Sequence, residues 1–243
     1  MKINSFCMSC LVQAQARNIQ KFEDEEKKSF NDFLLSMEEE LEKIIRSTKD
    51  PLATALCYAR LGNYIDLSAL SDVSAEKLLE LFAKAEEESL DAEEYQHFLQ
   101  DLEHGEYLVY LTDNCGEVVL DKLVIKLLKE QYPKLRIEVL VRGIPVTNDA
   151  DMEDAEYVGL TKLVPAFGNG SGIAGTELSK ISQEAREKLE RADVIIAKGQ
   201  GNFETIHTCG LNIYYLFLCK CDWFMQRFHA KHLQGMFVNE TRI

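Results

Sequence analysis

The sequence predicts an α/β fold: a three-layer α/β/α unit with a mostly parallel sheet, preceded by an N-terminal helical part. Two observations carry this. From residue 105 onward, short apolar runs alternate with segments of 3.6-residue period, the pattern of successive βα units. Before residue 105 the apolar positions keep helical spacing. Strands separated by helices imply a parallel sheet covered on both faces. The boundary is set at residues 1–104 for the helical part and 105–243 for the α/β part. No internal repeat or low-complexity linker interrupts either.

In chain order, Leu11, Ala14, Ala16 and Ile19 predict a first helix. Phe30, Phe33, Leu34, Met37, Leu41, Ile44 and Ile45 predict a second. Asp50-Pro51 breaks it, and Pro51 suits the first turn of a third, ending near Gly62. Ser74 opens another, and Tyr95 to His104 is one more short helical piece. Tyr107–Leu111 is an apolar strand, followed by a helix over 118–131 with Leu120, Leu123, Val124, Leu127 and Leu128 on one face. Arg136–Val141 is a second strand and 151–160 a helix. Residues 162–167 form a short third strand, 182–191 a helix, and Val194–Lys198 a strand. Ile213, Tyr214, Leu216 and Phe217 predict a further helix, with an extended course as the alternative. Met236–Val238 is the last strand.

Of 243 residues, 46% are hydrophobic, enough for a substantial core. The net charge of −14 disfavours nucleic acid, which needs a basic footprint. The acidic runs Glu38-Glu39-Glu40 and Glu86-Glu87-Glu88 read as solvated helix faces. There is no run of eighteen apolar residues, so no membrane span is expected. Met1 to Cys7 lacks the apolar core of a signal peptide, which makes a cytoplasmic location the expectation. Seven cysteines, an odd count, argue against a disulfide framework. Cys57, Cys115 and Cys209 are expected as buried or half-buried small hydrophobes.

Chemistry concentrates at strand ends, where parallel sheets bind ligands. Asp113, Asn114 and Glu117 follow the first strand, and Asn148 and Asp149 follow the second. Carboxylates and an amide oxygen are hard donors suited to Mg²⁺ or Mn²⁺. The competing reading in both places is a helix cap with an acidic first turn. Arg142 either binds an anion or pairs with one of these acids. The glycine-rich loop Gly168–Gly175, with Gly170 and Ser171 inside it, allows close backbone approach to a phosphate, although it is not a Walker loop. A bare connecting loop is the alternative. Lys198 ends an apolar strand and precedes Gly199 and Gly201; lysine is a point-charge phosphate binder. Adjacent strand ends lie about 4.8 Å apart, so Asp113, Asn114, Asp149 and Lys198 can converge. A divalent ion held by two carboxylates and an amide, with a lysine nearby, suits phosphoryl chemistry.

Four blocks in order resemble a known family: Asp113-Asn114-x-Gly116-Glu117, Arg142-Gly143-x-Pro145-x-x-Asn148-Asp149, Gly168 to Gly175, and Lys198-Gly199-x-Gly201-Asn202-Phe203-Glu204. They look like the motifs of the damage-control phosphatases, metal-dependent proteins of domain-of-unknown-function family 89. Cys7-x-x-Cys10-Leu11 and Gly62-Asn63-x-Ile65-Asp66 resemble its prokaryotic branch. The resemblance implies hydrolysis of small phosphorylated metabolites with Mn²⁺, Co²⁺, Ni²⁺ or Mg²⁺ and a metal-bound water. It implies metal ligands at Asp113, Asn114 and Asp149 and substrate contact from Lys198. Glu117, Asn148, Arg142, Gly170 and Ser171 complete the candidate substrate contacts. Related eukaryotic proteins are proposed to methylate carboxylates, so a carboxyl methyltransferase is the rival enzyme; a non-catalytic metal or metabolite binder is the third reading. The helical part before Asp50-Pro51 is shorter than the family norm. Cys7 and Cys10 are read first as helical packing, with half a zinc site or a redox pair as alternatives. Asn63 and Asp66 either cap the next segment or support the metal cleft from behind.

Overall fold

A computed structural model describes residues 24–62, 82 and 89–243. The expected first helix, the helix opening at Ser74, and Cys7, Cys10, Asn63 and Asp66 lie outside the described residues.

Helix α1 (Asp24–Ser47) buries Phe30, Leu34, Met37, Leu41 and Ile45, a single stripe at helical spacing. Its polar flank is tied to α4 (Glu117–Gln131): Lys122 meets Glu38 at 2.7 Å, and Lys126 meets Glu42 at 2.7 Å. Helix α2 (Pro51–Gly62) is buried along most of its length, because it lies between α4 and the strands. Helix α3 (Ala92–His104) opens on Asp91, whose carboxylate accepts from the Glu94 backbone N–H at 2.9 Å.

The sheet comprises β1 (Tyr107–Leu111), β2 (Arg136–Val141), β3 (Ala166–Gly168), β4 (Val194–Lys198), β5 (Ile213–Leu218) and β6 (Gly235–Asn239). Its order is β3-β2-β1-β4-β5-β6, with β6 alone antiparallel among these strands. Successive side chains alternate between two apolar layers. Leu108, Tyr110, Val139, Ile196 and Tyr214 join the layer of α1 to α4. Val109, Leu111, Ile195, Ala197 and Phe217 join the layer of α6 (Gln183–Arg191), α7 (Gly199–Ile206) and α8 (Asp222–Phe228). Among the described residues no helix is long and apolar enough to cross a membrane.

Three expectations need correction. Residues 213–217 take the extended course that was the alternative to a helix, and form strand β5. Every residue from Ile213 to Leu218 is buried, and the run alternates between both layers. A six-residue apolar run covered on two sides is what an interior strand requires. The third strand starts at Ala166, after Leu160–Lys162 has formed a 3₁₀ turn. Pro165 supplies only its carbonyl to the ladder, accepting from Val139 N at 2.9 Å. The helix expected over 151–160 is α5 (Met152–Tyr157), ended by left-handed Gly159. Helices α7 and α8 were not anticipated from the sequence.

Candidate metal centre at the sheet switch point

The chain builds β1, β2 and β3 outward in one direction, then returns to place β4 on the other side of β1. Ligand crevices in open α/β sheets form where the strand order reverses in this way. The turn after β1 carries Asp113 and Asn114, and β4 ends on Lys198.

The capping alternative is resolved differently at the two turns. Helix α4 has Gly116 at its N-cap and no side-chain capping bond. Glu117 instead reaches back, accepting from the Asn114 amide Nδ2 at 3.0 Å. At the second turn Asp151 is the cap, accepting from the backbone of Glu153 and Asp154 in a capping box. Asn148 and Asp149 lie outside that cap. The two turns then pair: Asn114 and Asp149 form an isolated antiparallel bridge. Asn148 Nδ2 donates to Asn114 Oδ1 at 2.8 Å, and Ala150 N donates to Asp113 O at 2.8 Å. The structure therefore brings Asp113, Asn114, Asn148 and Asp149 together.

Arg142 pairs with the acids, one of its two expected roles. Its guanidinium Nε donates to Asp149 Oδ2, and Nη2 lies 3.5 Å from Asp113 Oδ1. The third nitrogen, Nη1, reaches Asn202 Oδ1 at 3.2 Å and Thr176 Oγ1 at 3.4 Å. Arg142 is only 2% exposed, so it is an internal strut.

Lys198 is fully buried. Its ammonium donates to Ala59 O at 2.8 Å, to Asp121 Oδ1 at 2.7 Å and to Glu117 Oε1. It is thus turned towards α2 and α4. Burial disfavours the ammonium, but Asp121 and Glu117 outweigh burial and raise its pKa. Tyr110 OH also donates to Asp121, at 2.7 Å.

The Gly168–Gly175 loop folds over the turn after β2. A Cβ on Gly143 would fall 2.1 Å from Gly170 N, so only glycine lets the two backbones touch. Asn169 Oδ1 accepts from both Gly143 N and Ser171 N, at 2.9 and 2.8 Å. The Ser171 N–H is therefore engaged within the loop. Thr176, at the loop's end, joins the Arg142–Asn202 cluster.

Helix α1 closes one side. Asn31 accepts from Gly116 N at 2.7 Å and donates to Asp154 at 2.8 Å; Lys27 bridges Asp151 and Asp154 at 2.7 Å each. Cys115 sits among them, its thiol 3.4 Å from Asp154 Oδ2. Burial, reinforced by Asp154, pushes that thiol far above its ordinary pKa. A protonated, enclosed sulfur is a poor nucleophile.

Burial, followed by the charges of Asp149 and Glu117, holds the Asp113 carboxyl well above its usual range. Arg142 and Lys220 pull the other way and do not compensate. Among the described residues no cluster of three or more His, Cys, Asp or Glu forms a metal cage. The donor set is two carboxylates and an amide oxygen, which fits a hard divalent cation that keeps part of its hydration.

Sequence reasoning assigned no role to Asp121, Asn202, Thr176, Lys27 or Asn31. Asp121 had a signal: it lies four residues after Glu117, on the same face of a helix that is otherwise apolar there. Lys27 and Asn31 reach the site from more than 80 residues away, and no local pattern marks such a contact.

The fold and site together define a doubly covered α/β protein with an oxygen-donor centre at the carboxyl edge of its sheet. A family model described as the damage-control phosphatase ARMT1-like domain matches residues 3–234, and the chain belongs to that family. It is 33% identical over 197 residues to the damage-control phosphatase PH1575 of Pyrococcus horikoshii, an alignment covering 79% of this chain and 68% of that protein. It is also 33% identical over 183 residues to a damage-control phosphatase of Archaeoglobus fulgidus, covering 74% of this chain and 62% of the relative. The crystal structure of a DUF89 family protein from Pyrococcus horikoshii superposes with a TM-score of 0.79 across 99% of both chains, at 24% identity. That likeness shows the fold.

Proposed function

We propose that this protein is a divalent-metal-dependent phosphatase of small phosphorylated metabolites. The observation that carries the proposal is the pairing of two strand-end turns, which sets Asp113, Asn114 and Asp149 side by side in a negative, enclosed site. The names of the relatives support the same class of reaction. Asp113 and Asp149 would hold the ion through their carboxylates and Asn114 through its amide oxygen. Mn²⁺, Co²⁺, Ni²⁺ and Mg²⁺ all suit such donors, and the ion would supply Lewis acidity towards a phosphoryl oxygen and an activated water.

The chain's own residues do the rest. Arg142 holds Asp149 and Asp113 in register. Asn148 anchors the oxygen edge of Asn114. The capping of α5 by Asp151, locked by Lys27, fixes the turn that presents Asp149. The test is phosphate release from a panel of sugar phosphates and other phosphomonoesters, after chelation and after adding back each metal. Release that needs the metal supports the proposal. Methyl-donor consumption without phosphate release would replace it with the methyltransferase reading.

A further inference from the structure

We infer that Glu117, anchored by Lys198, is a positioning residue that decides which edge of the Asn114 amide faces the cation. The inference rests on the metal-site reading above and deepens it. The Asn114 Nδ2 group lies 2.9 Å from Asp113 Oδ2 and 3.0 Å from Glu117 Oε2. Glu117, paired with the Lys198 ammonium, turns an acceptor oxygen to that edge. The NH₂ must therefore lie on that edge. The amide oxygen is then forced to the opposite edge, where it accepts from Asn148. Only the oxygen edge can ligate a cation.

Glu117 can impose this because it cannot move. It is fully buried, and its other oxygen is held by the Lys198 ammonium. Lys198 is held in turn by Asp121 and by the Ala59 carbonyl. Orientation is thus passed from α2, through the end of β4, to the ligand turn after β1. Lys198 acts at the site through Glu117, its ammonium being bound by Glu117, Asp121 and the Ala59 carbonyl.

The test is calorimetric titration of the chelator-treated full chain with Mn²⁺, for wild type, Glu117→Gln, Asn114→Asp and the double variant. In Glu117→Gln the oxygen of the new amide stays with Lys198, and its NH₂ faces Asn114. The Asn114 NH₂ then meets a second NH₂, and its oxygen edge loses the buried acceptor that held it towards the cation. Mn²⁺ affinity should fall by about 10–100-fold, the usual cost of losing a partner behind a metal ligand. Asn114→Asp alone sets a third carboxylate against Asp113 and Glu117 and should also bind more weakly than wild type. In the double variant the introduced carboxylate accepts from the introduced amide NH₂ and keeps an oxygen for the cation. It should regain about tenfold over Glu117→Gln, a coupling opposite in sign to two additive losses. Undiminished Mn²⁺ affinity in Glu117→Gln, or a double variant no better than Glu117→Gln, overturns the inference alone. A wild-type protein that takes up no Mn²⁺ overturns the metal-site reading with it.

Discussion

Gly199 offers a direct probe of how tightly the site is built. It follows Lys198 at φ +76°, and a Cβ there would fall 2.0 Å from Asp113 Oδ2. Ordinary contact begins at 3.4 Å, so the carboxylate would have to retreat by about 1.4 Å. Metal–ligand distances tolerate only about 0.2 Å. Gly210 supplies the control, since it has nearly the same φ of +78° and nothing within 4 Å of an added Cβ. Gly210→Ala should lose about 1–2 kcal/mol, the left-handed penalty of an L-residue. Gly199→Ala should lose that and about 1–3 kcal/mol more for overpacking. Its Mn²⁺ affinity should fall by at least ~10–100-fold, whereas Gly210→Ala should bind as wild type does. Urea denaturation and Mn²⁺ calorimetry on the two variants measure both quantities. Equal stabilities and equal affinities in the pair would refute the contact between Gly199 and the Asp113 carboxylate.

Other consequences can be checked separately. Arg142→Met should destabilise the metal-free protein by about 3–5 kcal/mol, because it leaves buried carboxylates without their counter-charge; added Mn²⁺ should recover part of the lost melting temperature, and a melting curve indifferent to Mn²⁺ would count against the strut. Asp121 is raised from 3.8 to about 6 by burial, against the pull of Lys198. The folded chain keeps that proton after the unfolded chain has released it, so this contribution to stability is full below about 3.8 and is lost as pH rises through about 6. Chemical denaturation across this interval should therefore show Asp121→Asn gaining on wild type as pH rises; a loss would reverse the assignment. Cys115→Ser should keep most phosphate release, since the thiol is enclosed and protonated; abolished turnover with intact metal uptake would make the sulfur the nucleophile.

The strands that form the site were legible in the sequence because they are short, mostly apolar and closed by turn residues. Tyr107–Leu111, Arg136–Val141 and Val194–Lys198 have the bounds expected of them. Residues 213–217 misled because an apolar run buried on two faces has neither a strand's alternation nor enough length to exclude a helix. Gly199 and Gly201 signalled a turn, yet they open α7: Gly199 makes room for Asp113, and the helix begins immediately. The strand-end acids and amides could be picked out as candidates, but whether they cap the following helices could not be chosen. That choice depends on Asp151 taking the cap of α5 and Gly116 that of α4, distinctions that composition does not encode. The direction of the Lys198 side chain was likewise hidden. A strand-end lysine can face the crevice or the helix layer, and the buried pair Glu117 and Asp121 draws it to the helices.

In the proposed function, Asp113, Asn114 and Asp149 hold one divalent ion on which hydrolysis depends. Titrating chelator-stripped wild type and Asp149→Ala with Mn²⁺, while following phosphate release from a phosphomonoester in the same samples, tests it most directly. One ion should bind per wild-type chain, release should rise with its uptake, and both should be lost in Asp149→Ala. Binding and hydrolysis in Asp149→Ala equal to those of wild type would contradict it.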